Sequence, residues 1–185
     1  MYVIGGDPQC TGEVLDLGAL KWEHLPELIT PRSGHRIGVA KGRIICAGGM
    51  DSSGSLLRSV EVRKCWREPS PCFWIPWLNH PLESVDQGFD PREGKWTALP
   101  GLQLARSGAG MTTLNNTHIY VVGGIGQGRE DLSSVEILDM RMIKWENGPT
   151  LETGRSNLSA AVVDGHILAL GGYQVTRAPK RRCNR

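Results

Sequence analysis

Four apolar runs, each closing on a glycine pair, recur along these 185 residues and leave the chain few ways to fold. They are Tyr2-Val3-Ile4 into Gly5-Gly6, Ile44-Ile45-Cys46-Ala47 into Gly48-Gly49, Ile119-Tyr120-Val121-Val122 into Gly123-Gly124, and Ile167-Leu168-Ala169-Leu170 into Gly171-Gly172. Runs that are apolar at successive positions suit strands buried on both faces. A glycine pair at the strand's end permits positive φ and a close approach by neighbouring backbone. With 24 glycines against 2 Phe and 3 Tyr the composition is turn-heavy, as many short strands require, and an all-β chain follows.

A second landmark falls between the glycine pairs: Asp16 before Lys21-Trp22, Asp90 before Lys95-Trp96 and Asp139 before Lys144-Trp145, six residues from Asp to Trp each time. A proline follows each tryptophan by four (Pro26, Pro100, Pro149) and an arginine by ten (Arg32, Arg106, Arg155). Three equal spacings define equivalent units, each an arginine-led strand, an apolar strand with Gly-Gly, a Val-Glu strand and a Trp strand. One tryptophan per unit (Trp22, Trp96, Trp145) supplies a large apolar surface at a fixed place, as stacked sheets need.

A period of about 48 residues with strand-Gly-Gly, Ser-Val-Glu and Asp-x5-Trp resembles kelch repeats, which form four-stranded propeller blades around a central channel. The resemblance implies an all-β kelch-type β-propeller fragment: a partial blade at 1–26, a blade at 32–100 with an insert at 63–88, a blade at 106–149 and a partial blade at 155–173. A basic tail, 174–185, is expected to be disordered. The units supply three, four, four and two strands, little more than three blades, whereas propellers close with about four to eight. An incomplete ring leaves apolar blade faces for self-association, or marks a truncated or mis-spliced product without independent function.

Gly49 to Trp96 spans 47 residues and Gly124 to Trp145 only 21, an excess of 26. Removing 63–88 joins Ser59-Val60-Glu61-Val62 to Phe89-Asp90 in register with Ser134-Val135-Glu136-Ile137-Leu138-Asp139. The segment holds three of the six tryptophans and falls inside a strand, although tolerated insertions sit at exposed loop tips. It reads as translated intron or a misplaced exon boundary, which sequencing the transcript tests. The competing readings are a docking loop or a metal site from Cys65, Cys72 and His80; three ligands at irregular spacing fall short of a structural zinc's four.

Arg32, Arg106 and Arg155 are each followed by serine and are expected to begin the first strand of their units. Antiparallel order puts the start of the third strand at the same end, so Ser59 and Ser134 should lie near the arginines. In the family this chain resembles, matching positions line the channel mouth, where acidic or polar peptides dock. The resemblance implies that role for Arg32, Arg106, Arg155, Ser59 and Ser134, with arginine pairing to carboxylate as the chemistry. The alternative is that these arginines are scaffold, bonding loop carbonyls in every blade. Glu13, Glu61 and Glu136 recur once per unit and read as scaffold, and so do Asp16, Asp90 and Asp139, which open turns.

The function implied is a non-catalytic protein-protein interaction module, an adaptor or scaffold needing no cofactor or metal. An enzymatic alternative, a copper oxidase or sugar-modifying enzyme, would draw on Tyr and His ligands, but Tyr2 and Tyr120 hold equivalent repeat positions, which argues for structure. The net charge of +2, from 21 basic and 19 acidic residues, gives no field for nucleic acid or anionic membrane. Five cysteines without a CxxC spacing indicate neither a disulfide framework nor zinc, and fit a reducing compartment. No apolar run approaches the ~20 residues of a membrane span, and the N-terminus lacks a signal peptide's pattern. The expected location is the cytoplasm, with the nucleus also open.

Overall fold

The computed structural model describes residues 2–5, 10–64 and 95–174. Gly6, residues 65–88 of the interruption, Asp90 and all but the first residue of the basic tail lie outside them. The described residues form thirteen strands, all antiparallel, each paired with its neighbour in sequence. They divide among four sheets as three, four, four and two. The first sheet holds β1 (Tyr2–Ile4), β2 (Gly12–Asp16) and β3 (Lys21–Leu25). The second holds β4 (Arg36–Ala40), β5 (Arg43–Ala47), β6 (Val60–Lys64) and β7 (Thr97–Leu99). The third holds β8 (Gly110–Leu114), β9 (His118–Val122), β10 (Val135–Asp139) and β11 (Lys144–Gly148), and the fourth β12 (Ser156–Val163) and β13 (His166–Tyr173). Together they make an all-β propeller arc with no closed ring among the described residues.

Local chemistry sets the turns. Lys41-Gly42 and Asp164-Gly165 join the first and second strands of their sheets with positive φ at both positions, the two-residue turn whose twist matches the flanking strands. Asp16 Oδ1 accepts from Gly18 N at 2.8 Å, and Asp139 Oδ1 from Arg141 N at 2.7 Å, so both aspartates cap the turn into the tryptophan strand.

Three apolar clusters lie between successive sheets. Ile4, Leu25 and Leu28 meet Ile44, Cys46 and Trp96 between the first and second. Ile45, Ala47, Val60 and Val62 meet Met111, Ile119, Val121, Leu138 and Trp145 between the second and third. Val122 and Val135 meet Leu158 between the third and fourth. Each buried tryptophan therefore packs back on the preceding sheet. Its indole N–H reaches a carbonyl there: Trp96 Nε1 donates to Pro26 O at 2.9 Å and Trp145 Nε1 to Pro100 O at 2.7 Å. Trp22 has no preceding sheet among the described residues and is 41% exposed, against 6% and 8% for Trp96 and Trp145.

The diglycines are where each sheet receives the next. A Cβ on Gly48 would stand 2.6 Å from Arg106 O, and one on Gly123 2.5 Å from Arg155 O. The second glycine of each pair donates across the same junction, Gly49 N to Arg106 O at 2.8 Å and Gly124 N to Arg155 O at 2.9 Å. Close approach and positive φ (65° and 98° at Gly48 and Gly49) are thus both required.

Two expectations need correction. The first strands begin at Arg36, Gly110 and Ser156, so Arg32 and Arg106 stand four residues ahead of theirs and do not open them. The intervening residues are drawn off by single bridges, Ser33 to Met50 and Ser107 to Ile125, which fold this segment against the loop after the second strand. The interruption also begins later than spacing indicates. Arg63 and Lys64 complete β6, pairing with Ile44 and Arg43 just as Leu138 and Asp139 pair with Ile119 and His118. Backbone pairing continues with whichever residues follow in the chain, so β6 runs unbroken to Lys64 and the added length lies between β6 and β7.

Candidate binding surface

At the end of the sheets where first and third strands start, the second and third blades hold the same buried frame. In the second, Arg32 Nη1 donates to Gly48 O and Ser59 O, each at 2.9 Å, Nη2 donates to Ser59 Oγ at 2.9 Å, and Nη2 also pairs with Glu61 Oε1. In the third, Arg106 Nη1 donates to Gly123 O at 2.8 Å and Ser134 O at 3.1 Å, and Nη2 to Ser134 Oγ at 2.9 Å and Glu136 Oε1 at 2.6 Å. The carboxylate completes the circuit by accepting from the segment entering the blade. Glu61 takes Ile29 N at 2.8 Å and Thr30 N at 3.1 Å; Glu136 takes Gln103 N at 2.6 Å and Leu104 N at 3.0 Å. Burial pushes the Arg106 guanidinium down from its ordinary value, against the pull of Glu136.

The structure therefore brings Arg32 to Ser59 and Arg106 to Ser134, as antiparallel order requires, but spends the arginines inside the blade. Their side chains are 0% and 1% exposed, so they form no open positive ring. This is the scaffold arrangement, and sequence reasoning, which read Glu61 and Glu136 as scaffold, did not pair them with the arginines. The signal was present: Glu61 follows Arg32 by 29 residues and Glu136 follows Arg106 by 30.

Arg155 differs. Its Nη1 donates to Gly171 O at 3.2 Å, the counterpart of the bonds to Gly48 and Gly123, while Nε is buried without a hydrogen-bond partner among the described residues. No carboxylate pairs with it there.

What is exposed at this end is the pair of loops above the frames, Asp51 to Arg58 and Gly126 to Asp131. The first is a serine loop wound on Asp51, whose Oδ1 accepts from Ser53 N and Ser55 N at 2.9 Å and from Ser53 Oγ at 2.6 Å. Those donors hold its carboxyl below the usual range. The second presents Gln127, Arg129 and Glu130, with Arg129 at φ 58°. Beneath them the blades are tied by residues the sequence did not single out. Gly108 N donates to Gly34 O at 2.9 Å and Asn157 N to Gly108 O at 2.7 Å, with positive φ at all three. The residue two after each arginine supplies that turn.

The tyrosines and the two described cysteines, Cys10 and Cys46, are accounted for by packing. Tyr2 and Tyr120 lie against the clusters between sheets, and Tyr173 OH accepts from Asn157 Nδ2 at 2.9 Å. Cys46 is fully buried in β5, which pushes its thiol up to about 12 and leaves it unreactive. Among the described residues no three His, Cys, Asp or Glu side chains gather as a metal site would need.

Residues 31–62 and 105–152, the stretches that build the two framed blades, match the family model described as the Kelch motif. Over these two stretches the chain carries Kelch motifs. The chain is 27% identical over 157 residues to Kelch-like protein 34 of Homo sapiens, covering 85% of this chain and 22% of that protein. It is 26% identical over 167 residues to Kelch domain-containing protein 8B of Homo sapiens, covering 89% and 42%. To Beta-scruin of Limulus polyphemus it is 24% identical over 184 residues, covering 95% and 17%. The chain thus spans less than half the length of each of these relatives.

Proposed function

We propose that the chain is a non-catalytic protein-interaction module, an adaptor or scaffold of the cytoplasm, that binds a peptide or protein segment across the sheet ends where the first and third strands start. One observation carries the reading: two identical buried Arg-Ser-Glu frames support two exposed loops of different chemistry. Repeated frames fix geometry and differing loops supply selectivity, the usual division between scaffold and binding residues. Arg32, Arg106, Ser59 and Ser134 then act as the floor. Contact falls to exposed residues above it, Ser52, Ser53 and Arg58 in one loop and Gln127 and Arg129 in the other. Arg58 and Arg129 favour a segment bearing carboxylates. The names Kelch-like protein 34 and Kelch domain-containing protein 8B identify relatives built on the same repeat. Self-association through open blade faces is the second partner class this reading includes.

The test compares loop with floor. Gln127→Ala and Arg129→Ala should weaken capture of a partner in quantitative pull-down while leaving the melting temperature unchanged. Arg106→Ala should lower the melting temperature itself. Undiminished capture by the double loop variant, with loss on substituting Lys41 and Asn116 at the opposite end, would overturn the placement.

A further inference from the structure

The third strands of the two framed blades share one register up to Val62 and then part. Between β10 and β11 the ladder holds five pairs and ends on Leu138 with Trp145 and Asp139 with Lys144. Between β6 and β7 it holds three, Val60 with Leu99, Glu61 with Ala98 and Val62 with Thr97. Arg63 and Lys64 pair with Ile44 and Arg43 on the inner side of β6, but the ladder on its outer side stops before them, and Lys95 and Trp96 stand outside β7.

Residue character changes at the same point. Leu138 is fully buried with Ile119 and Trp145 in the cluster between the second and third sheets. Its counterpart Arg63, 2% exposed, shares a face with Ile44, which lies with Trp96 in the cluster between the first and second sheets. A cation therefore stands in an apolar layer, where burial of charge is costly. Asp139 caps the turn into the tryptophan strand and is placed opposite His118, with Oδ2 3.6 Å from its Nε2. The second blade has Lys64 at that position, opposite Arg43, so like charges take facing places in the register.

We infer that the second blade is built for a third strand running Val60-Glu61-Val62-Phe89-Asp90, and that the chain without residues 63–88 is the more stable form of this fold. Phe89 then takes the position of Leu138, beside Ile44 and Trp96, and the ladder continues through Phe89 with Trp96 and Asp90 with Lys95. Asp90 takes the position of Asp16 and Asp139, the two aspartates that cap their turns, and comes opposite Arg43. Gly94 falls two residues before Trp96, where Leu20 and Ile143 hold positive φ of 50° and 52°, a conformation that glycine adopts without strain. Ser59 and Glu61 precede the junction and keep their bonds to Arg32. The junction also lies at the end of the sheets away from the two exposed loops, so the inference stands apart from the binding reading.

A shorter connection stabilises by itself, because closing a loop costs more as it lengthens, so length and side-chain chemistry must be separated. Urea unfolding of three chains does this: the full chain, the Δ63–88 variant, and Δ63–88 carrying Phe89→Arg with Asp90→Lys. The last keeps the short connection but returns the two cations to the strand. Deletion should raise the folding equilibrium constant about tenfold or more, and the double substitution should remove most of that gain. Amide hydrogen exchange over Lys95 and Trp96 should slow in the deletion variant as the ladder reaches them. A deletion variant that does not fold, or that is no more stable than the full chain, overturns the inference. So does a gain that survives the double substitution in full, which would belong to loop length alone.

Discussion

Arg106 Nη2 donates to Glu136 Oε1 at 2.6 Å in a pair whose side chains are each 1% exposed. A buried pair is weak evidence of net stability, because desolvating two charges offsets much of their attraction. Removing one member is another matter, since it strands the other charge in the interior. Arg106→Ala should therefore destabilise the chain by about 3–5 kcal/mol, read as a lowered denaturation midpoint in urea. Arg129→Ala, on an exposed loop, should stay within about 0.5 kcal/mol. Equal effects would mean that the frame does not hold the blade.

Positive φ alone does not explain the diglycines. Gly124 and Gly165 both have it, at 105° and 74°, yet a Cβ on Gly124 would stand 2.8 Å from Ser107 O while one on Gly165 meets nothing within 4 Å. Gly165→Ala should cost about 1–2 kcal/mol, the left-handed penalty by itself. Gly124→Ala adds a clash with rigid backbone, about 1–3 kcal/mol more. Thermal unfolding of the two variants separates strain from crowding, and similar losses would argue that the junction yields.

The fold was legible because its determinants are periodic: a strand pattern, a glycine pair and a tryptophan in constant register each report a local demand. The frame was only half legible. Arg106 and Glu136 are 30 residues apart and meet only because two antiparallel turns bring the third strand back beside the arginine. Read separately, the arginine looked available for a ligand and the glutamate looked like scaffold. Arg63 shows the opposite limit. It is buried at the position of Leu138, and alignment by residue type skipped it because a hydrogen-bonded register does not depend on side-chain character.

Equivalent tryptophans should respond unequally. Trp145→Phe removes the donor to Pro100 O and part of a packed indole, so a loss of about 1–3 kcal/mol is expected. Trp22→Phe, measured at concentrations where the chain is monomeric, should cost under about 0.5 kcal/mol. Urea unfolding of both variants checks the contrast. A large loss at Trp22 would show that it is packed in solution.

His35 makes the junction between the first and second sheets sensitive to acid. Its Nε2 donates to Ile4 O at 2.8 Å, and Nδ1 is buried without a hydrogen-bond partner among the described residues. Burial lowers its pKa below the ordinary 6.5, and the Arg32 charge lowers it further, while the Ile4 bond works the other way. Because the folded value is the lower one, the unfolded chain binds the extra proton first as pH falls. Stability from this group is complete above about 6.5 and declines below it until the folded value is passed. Asp51 and Asp139, also held below their ordinary 3.8, begin to lose their contributions only in stronger acid, near and below that value. His35→Gln keeps a donor for Ile4 without a titrating ring. Unfolding free energies between pH 7.5 and pH 5 should fall for the wild type and stay nearly flat for the variant relative to it, the remaining histidines being common to both. Parallel curves would place the acid sensitivity elsewhere.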